Sequence, residues 1–202
     1  MLDKYLVPVV RRPCRVIAQT LASAGISANQ VSIVGFVAGI LSIASIALGV
    51  FWLALLLLLL NRVADGVDGE LARLTNPTDA GAFLDICLDF IFYSSFPLGF
   101  VFFNAEANSL PAAVLIASFV GTATSFLAFS NFAQKRGIEH PDFNYKGLYY
   151  LNGLAEGSET VIVFVLMCVF HTHFPLLAFT FAALCIATTV TRVVFGFSTL
   201  NN

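Results

Sequence analysis

Charged residues are scarce in this chain. Its 202 residues include only 10 Lys and Arg and 12 Asp and Glu, or 11% of the total, whereas soluble domains contain about 25%. Hydrophobic residues make up 58% of the chain, and the mean hydropathy is +0.88. This shortage of charge excludes an ordinary soluble domain and predicts an all-α polytopic membrane protein. The length is typical of one domain, which we place over residues 1–202.

Closely spaced cysteine pairs are also missing. The chain has four cysteines, and none of them forms a C-x-x-C motif. The sequence therefore predicts neither a disulfide framework nor a zinc site. We also expect no nucleic-acid partner.

Residues 1–27 lack an uninterrupted apolar run. The Ala-Ser-Ala sequence at 22–24 resembles a signal-peptide cleavage site, but arginines interrupt the apolar sequence before it. Secretory signals need about 7–15 apolar residues in a row, so we expect no cleavage here. The mixture of basic and apolar residues favours an amphipathic segment lying on an anionic membrane surface, with a frayed tail as the alternative. Pro8 and Pro13 predict only short helical pieces in this segment.

Six apolar segments follow within residues 28–197, each near the ~20 residues needed to cross the hydrocarbon of a bilayer. They are predicted at about 29–50, 52–73, 80–103, 111–134, 158–173 and 175–196. With six spans, every Lys and Arg falls in the N-terminal segment, in one set of loops, or near the helix ends on that side. The positive-inside rule makes that side cytoplasmic, so we expect both termini to be cytoplasmic in a multi-pass inner-membrane protein.

Four aspartates interrupt the apolar sequence near the cytoplasmic ends of the second and third spans. Asp65 and Asp68 are three residues apart, and Asp85 and Asp89 are four apart, so each pair shares one helix face. Four carboxylates in a low dielectric cannot all ionise without cations. Two Mg²⁺ or Mn²⁺ ions would balance them, since hard cations prefer oxygen ligands and such pairs support phosphoryl displacement.

Two other interpretations of the aspartates remain open. Internal salt bridges to Arg62, Arg73 and Arg192 could neutralise some of the acids, although three arginines do not balance four aspartates and Glu70. An acid-lined proton or ion pathway would also place carboxylates at membrane depth.

Small residues accompany the acids in a fixed pattern. Residues 65–89 resemble the signature of the CDP-alcohol phosphatidyltransferase family, D-x-x-D-G-x-x-A-R-x8-G-x-x-x-D-x-x-x-D, with one residue fewer between Arg73 and Gly81. The eight matching positions are Asp65, Asp68, Gly69, Ala72, Arg73, Gly81, Asp85 and Asp89. The resemblance extends more loosely to the six-span layout and the N-terminal segment.

The resemblance implies a role for each of these positions. Asp65, Asp68 and Asp85 would hold two metal ions with Asp89 beside them, and Asp89 would be the general base. The CDP group would be contacted by Gly69, Ala72, Arg73, Thr78 and Gly81. The family often opens its first span with P-N-x-x-T, which here reads Ala28-Asn29-Gln30-Val31-Ser32. Asn29 and Ser32 would then also contact the nucleotide, with helix N-capping as the alternative.

The acceptor site is less clearly marked. Lys135, Arg136, Lys146 and Arg192 are expected on the cytoplasmic side, where they could hold the phosphate of an acceptor. Ordinary positive-inside charge is the alternative interpretation. Glu156 and Glu159 could orient hydroxyls, form a choline cage with Tyr145, Tyr149 and Tyr150, or simply cap the fifth span.

These patterns predict an enzyme that transfers a phosphatidyl group from CDP-diacylglycerol to an alcohol and releases CMP. Glycerol 3-phosphate is the first choice of acceptor, and inositol phosphate, serine and choline remain open. A catalytically silent relative or an ion carrier is the alternative from another class. The resemblance also implies a homodimer, whereas Gly35 and Gly39 favour packing within one chain over a dimer contact.

Overall fold

The computed structural model describes residues 3–137 and 155–201, with side chains from residue 8 onward. These two ranges form seven α-helices and contain no strand, which confirms the all-α class. The helices are α1 (Asp3–Ser23), α2 (Ala28–Ala47), α3 (Phe51–Leu74), α4 (Asp79–Phe103), α5 (Ala105–Lys135), α6 (Gly157–Val169) and α7 (Phe174–Asn201). A 3-10 turn at His171–His173 joins α6 to α7.

Helices α2 to α7 correspond to the six predicted apolar segments. Within the described ranges, four helical segments are long and apolar enough to cross a membrane: Ala28–Ala47, Asp79–Phe103, Ala105–Lys135 and His171–Asn201. The chain is therefore a multi-pass membrane protein, but the number of six spans is not confirmed. Helix α3 combines a Leu-rich first half with a charged second half, and α6 has only 13 residues. The predicted fifth segment, 158–173, was too long because its last residues form the 3-10 turn. The division into 1–27 and 28–197 within one domain stays a prediction.

The expectation that prolines break the N-terminal segment into short pieces was wrong. Helix α1 runs continuously over 21 residues with Pro8 and Pro13 inside it. A proline removes one helical hydrogen bond and crowds the carbonyl four residues earlier, and around Pro13 that carbonyl belongs to Val9, which is exposed. Cys14 and Ala18 on the other face are buried against Val67 and Leu71 of α3. This packing also excludes a frayed tail over the described part of the segment.

Two glycines let α2 approach α3 and α4 closely. A Cβ on Gly35 would lie 2.7 Å from the Cβ of Ala64, and one on Gly39 would lie 2.7 Å from the ring of Phe92. The Gly35 carbonyl also accepts a hydrogen bond of 2.8 Å from Nδ2 of Asn61. The predicted preference of these glycines for packing within one chain is confirmed, and the close approach brings the start of α2 to the acidic half of α3.

Stacked phenylalanines hold the opposite side of α4. The rings of Phe96 and Phe164 lie 4.0 Å apart at an interplanar angle of 11°, and those of Phe100 and Phe174 lie 4.3 Å apart at 12°. These pairs join α4 to α6 and to the start of α7. Helix α4 packs along α2 and α5, and these ring pairs add contacts with α6 and α7, so the surrounding helices set the position of its aspartates.

We predict that Gly35→Ala destabilises the protein by about 1–3 kcal/mol, the usual cost of overpacking a tight core. The added methyl group would meet Ala64 of a neighbouring helix, which cannot move aside by changing rotamer. The matched control is Val34→Ala, since Val34 is 68% exposed on the outer face of the same helix. Thermal unfolding in detergent measures both variants, and equal stability of the two would contradict the close packing of α2 on α3.

Candidate functional site

Three aspartates converge where α3 and α4 meet. Asp65, Asp68 and Asp85 each offer a carboxylate oxygen, and these oxygens all lie within 4.8 Å of one another. Asp68 is buried, while Asp65 and Asp85 are partly exposed. The short turn between the helices, one residue shorter than the family pattern, does not keep the two acidic faces apart. This aspartate triad has the oxygen donors that a hard divalent cation requires.

Asp89 lies beside the aspartate triad but is held by a different partner. Its Oδ1 atom accepts a hydrogen bond of 3.0 Å from Nη2 of Arg62. Nη1 of Arg62 also lies 3.9 Å from Oδ2 of Asp65. Arg62 and Asp89 line the same cleft as the triad, together with Ser32 of α2. The fourth carboxylate is therefore part of the site, with its orientation tied to an arginine.

Ser32 of α2 is hydrogen-bonded to the aspartate triad. The Oγ atom of Ser32 donates a hydrogen bond to Oδ2 of Asp68. Ser32 does not cap α2, because Ser27 occupies the N-cap position and forms a capping box with Gln30. The capping interpretation of Ser32 was wrong, and its contact instead orients a carboxylate of the triad, as partners of metal ligands do.

Asn29, Thr78 and Gly81 come together at the ends of α2 and α4. A Cβ on Gly81 would lie 3.0 Å from Oδ1 of Asn29 and 3.1 Å from Oγ1 of Thr78. Thr78 is the N-cap of α4 and accepts a hydrogen bond of 3.1 Å from the Gly81 nitrogen. Asn29, like Ser32, lies inside α2 and does not cap it. The absence of a side chain at Gly81 lets these two polar groups approach the α4 backbone one turn before Asp85.

Arg73 and Gly69 form the other edge of the site. The nearest atom to a Cβ on Gly69 would be Nη2 of Arg73, at 3.4 Å. Arg73 is partly exposed, and its Nη2 donates to Oε1 of Glu70 at 2.7 Å. Ala72 precedes it on α3 and is half-buried. A partly exposed arginine beside a bare backbone position is suited to a phosphate.

Glu70 connects this arginine to the N-terminal helix. It is only 2% exposed, and its Oε1 atom accepts hydrogen bonds from Nε of Arg11 on α1 and from Arg73. A buried carboxylate needs such partners, because an uncompensated charge at this position would be costly. The position of Arg73 therefore depends on how α1 packs against α3.

Cys14 of α1 packs against α3 near the acidic residues. Its Sγ atom is 2.9 Å from the place that a Cβ on Gly66 would occupy. Burial raises the pKa of the Cys14 thiol, and the charges of Glu70 and Asp65 raise that pKa further. The raised pKa favours the protonated thiol. Because only the thiolate is a good metal ligand or nucleophile, Cys14 is unsuited to either role.

The proposed acceptor residues are not gathered as one group in the described part of the chain. Arg192 is buried in α7, where Nη1 donates to the Thr122 carbonyl at 3.3 Å and the guanidinium carbon lies 5.5 Å from the Phe126 ring centre. Lys135 and Arg136 are exposed at the end of α5. Lys146, like Tyr145, Tyr149 and Tyr150, lies outside the described residues.

Glu156 and Glu159 cap α6, which confirms that interpretation of the two acids. The Glu156 nitrogen donates to Oε2 of Glu159 at 3.2 Å in a capping box. Glu156 is 8% exposed, so it is buried at the start of α6 and is no surface acid. The Ala155 nitrogen donates to Oγ1 of Thr188 on α7 at 2.9 Å, which ties the start of α6 to the helix that carries Arg192.

The salt-bridge interpretation of the aspartates is correct for one arginine. Arg62 pairs with Asp89 and Asp65, whereas Arg73 forms an ion pair with Glu70. No role was predicted from the sequence for Tyr93 or Glu70, and none beyond charge balance for Arg62. Spacing was an available signal, because Arg62 is three residues before Asp65 and Tyr93 is four after Asp89, and such residues share a helix face.

Comparisons with known proteins identify the relatives of this chain. The family model for CDP-alcohol phosphatidyltransferase matches residues 25–193. The inner membrane protein YnjF of Escherichia coli is 45% identical over 202 residues, covering 100% of this chain and 98% of that protein. An archaetidylinositol phosphate synthase of Pyrococcus horikoshii is 39% identical over 90 residues, which are 44% of this chain and 47% of that protein.

A solved structure has the same fold. The crystal structure of the Mycobacterium tuberculosis phosphatidylinositol phosphate synthase PgsA1, with CDP-DAG bound, has a TM-score of 0.69 and covers 92% of this chain and 94% of that one. At 18% identity this likeness establishes the fold alone. The family model covers residues 25–193, and YnjF is 45% identical over the whole chain. This chain therefore belongs to the CDP-alcohol phosphatidyltransferase family.

Proposed function

We propose that this enzyme transfers a phosphatidyl group from CDP-diacylglycerol to a small alcohol and releases CMP. The observation that carries the proposal is the aspartate triad at the junction of α3 and α4. A second group, formed by Asn29, Thr78 and Gly81, lies next to it. A catalytically silent relative or an ion carrier would have no need for both groups together.

The residues present fit a binuclear Mg²⁺ or Mn²⁺ centre. Asp65, Asp68 and Asp85 supply hard oxygen donors within 4.8 Å of one another, and Ser32 orients Asp68 from behind. Asp89 would complete the ligand set from the next turn of α4. When bound, two divalent ions neutralise the carboxylates and stabilise the charge on the transferring phosphate.

The donor would be oriented by residues on both sides of the aspartate triad. Arg73, held by Glu70 at 2.7 Å, offers a fixed positive charge to the pyrophosphate. The small residues Gly69 and Ala72 on α3 and Gly81 on α4 would let the donor approach the helix backbone closely. Asn29 and Thr78 offer polar atoms to the cytidine. The acyl chains of the donor would remain in the bilayer.

Asp89 acts as the general base in this proposal. The acceptor hydroxyl gives its proton to the carboxylate of Asp89 as its oxygen forms a bond to the lipid-side phosphorus. The bond between that phosphorus and the bridging oxygen breaks, and the electrons of that bond leave with CMP. Positioning and charge neutralisation supply most of the acceleration in phosphoryl transfer, which suits a site made of carboxylates and arginines.

For the acceptor we propose a small phosphorylated alcohol, with glycerol 3-phosphate as the first choice. Arg192, which is buried in α7, would bind its phosphate, since a guanidinium is suited to phosphate oxygens. The relatives named as an archaetidylinositol phosphate synthase and a phosphatidylinositol phosphate synthase make inositol phosphate the next choice. Lys135, Arg136 and Lys146 would contribute from the connection between α5 and α6.

We further propose that α2 to α7 all cross the inner membrane, with both termini and the site on the cytoplasmic side. Helix α1 would then lie in the interface, with Val9, Val16 and Ile17 exposed toward lipid. A homodimer remains part of the proposal. Gly35 and Gly39 are used inside the chain, so the dimer contact would use another face.

We predict that Asp85→Asn weakens Mn²⁺ binding about tenfold or more, because even partners behind the ligands typically contribute about 10–100-fold to metal affinity. Titration of the purified protein with Mn²⁺, followed by electron paramagnetic resonance of the free ion, gives the affinity. Asp79→Asn is the matched control, since Asp79 lies exposed in the first turn of the same helix. Equal affinities for the two variants would rule out the aspartate triad as the metal site.

We predict Mn²⁺-dependent or Mg²⁺-dependent CMP release from CDP-diacylglycerol, and its loss in Asp89→Asn, because an amide cannot accept the hydroxyl proton. The assay supplies glycerol 3-phosphate, inositol phosphate, serine or choline, one at a time. Asp79→Asn again serves as the control and retains activity. Metal binding without CMP release from any of the four acceptors would support the silent-relative or ion-carrier alternative instead.

A further inference from the structure

Arg62 forms more hydrogen bonds than neutralising the aspartates would require. Its Nη2 donates to Oδ1 of Asp89 at 3.0 Å, its Nη1 to the Tyr93 hydroxyl at 2.7 Å, and its Nε to Oδ1 of Asn61 at 2.8 Å. Its guanidinium carbon also lies 5.0 Å from the ring centre of Phe92 and 4.9 Å from that of Tyr93. The side chain is 11% exposed, so these contacts are largely shielded from water.

These contacts fix the plane of the guanidinium group. Hydrogen bonds from all three of its nitrogens reach two helices, and two aromatic rings flank it. Asn61 is itself anchored, because its Nδ2 donates to the Gly35 carbonyl on α2 at 2.8 Å. Because each of its three nitrogens donates a hydrogen bond, the planar guanidinium is held in one orientation. The ammonium group of a lysine, on a flexible side chain, cannot form the same set of hydrogen bonds.

The fixed guanidinium in turn sets the orientation of Asp89. The other three aspartates meet within 4.8 Å, whereas Asp89 is bound through Oδ1 to Arg62. This hydrogen bond restricts rotation of the carboxylate, so the direction in which its oxygens point is set by Arg62. A base that must meet a hydroxyl at hydrogen-bond distance depends on such orientation.

We propose that Arg62 is a positioning residue for Asp89, which it holds in the orientation that accepts the proton of the acceptor alcohol. The Tyr93 hydroxyl and Asn61 in turn fix the orientation of Arg62. A chain of hydrogen bonds therefore connects Gly35 on α2, through Asn61 and Arg62 on α3, to Asp89 on α4. This inference rests on the proposed function, because it assigns to Asp89 the role of base.

The test compares Arg62→Lys with the wild-type protein in steady-state CMP release from CDP-diacylglycerol. Lysine keeps the positive charge but loses the fork. We expect kcat to fall about tenfold to a hundredfold, since a misplacement of about 1 Å in a catalytic group can cost a hundredfold. The KM for CDP-diacylglycerol and the affinity for Mn²⁺ stay within about twofold, because Arg62 contacts none of the proposed donor-binding residues and lysine keeps the positive charge that faces Asp65 and Asp89. Arg15→Lys, an exposed arginine on α1, is the matched control and leaves both constants unchanged.

Tyr93→Phe provides a second, milder variant. It removes only the hydroxyl that accepts from Nη1 of Arg62, and we expect a smaller fall in kcat with the same unchanged KM. Unchanged Mn²⁺ binding by each variant shows that it is folded. If Arg62→Lys has wild-type kcat, charge alone is sufficient and the positioning role is refuted. If KM for the donor rises instead, Arg62 binds the donor and the proposal is equally refuted.

The failure of this inference is distinguishable from that of the proposed function. A wild-type protein that releases no CMP from any acceptor overturns the proposed function, and with it the role of Asp89. A wild-type protein that is active while Arg62→Lys and Tyr93→Phe keep its kcat overturns only the positioning of Asp89 by Arg62.

Discussion

The mutual repulsion of carboxylates in a low dielectric is the constraint on which the rest of this structure depends. Asp65, Asp68 and Asp85 meet within 4.8 Å of one another in a bundle of apolar helices, with Asp89 beside them. Carboxylates this close cannot all remain ionised without compensating cations. The glycines on α2 bring that helix close to α3, and the phenylalanines behind α4 hold its acidic face toward the cleft. The packing of the bundle therefore concentrates negative charge at one place, where a divalent cation and a pyrophosphate would bind together.

Positive charge around the aspartates is divided between two arginines with separate partners. The side chain of Arg62 is mostly shielded from solvent and pairs with Asp89, whereas Arg73 is exposed and pairs with Glu70. Arg62 lies one turn before Asp65 on α3, and Arg73 lies after Asp68 near the end of the same helix. Arg11 reaches the same glutamate from α1, so the amphipathic helix is coupled to the edge of the site where the donor is proposed to bind. In the proposed mechanism, Arg62 would act on the base and Arg73 on the donor phosphates.

Much of this arrangement was predictable from the sequence. Helical spacing put the acids of each pair on one face, and the short turn at Thr78 brought the two faces together, because both features are local. The course of α1 through Pro8 and Pro13 was not predictable, since packing of Cys14 and Ala18 on α3 outweighs the local cost of proline. The ion pair of Arg62 with Asp89 and the place of Ser32 on Asp68 also depend on contacts between helices. Nothing local to Asn29 indicates that it faces Gly81, 52 residues later in the chain.

The number of metal ions at the aspartates tests the central claim most directly. Two ions in a shared carboxylate site lie about 3.5–4 Å apart, close enough for their electron spins to couple. Electron paramagnetic resonance of the protein loaded with Mn²⁺ should therefore show two bound ions per chain with an exchange-coupled spectrum, which is lost in Asp85→Asn. A simple six-line spectrum of isolated Mn²⁺, or no bound ion at all, would contradict a binuclear centre at Asp65, Asp68, Asp85 and Asp89.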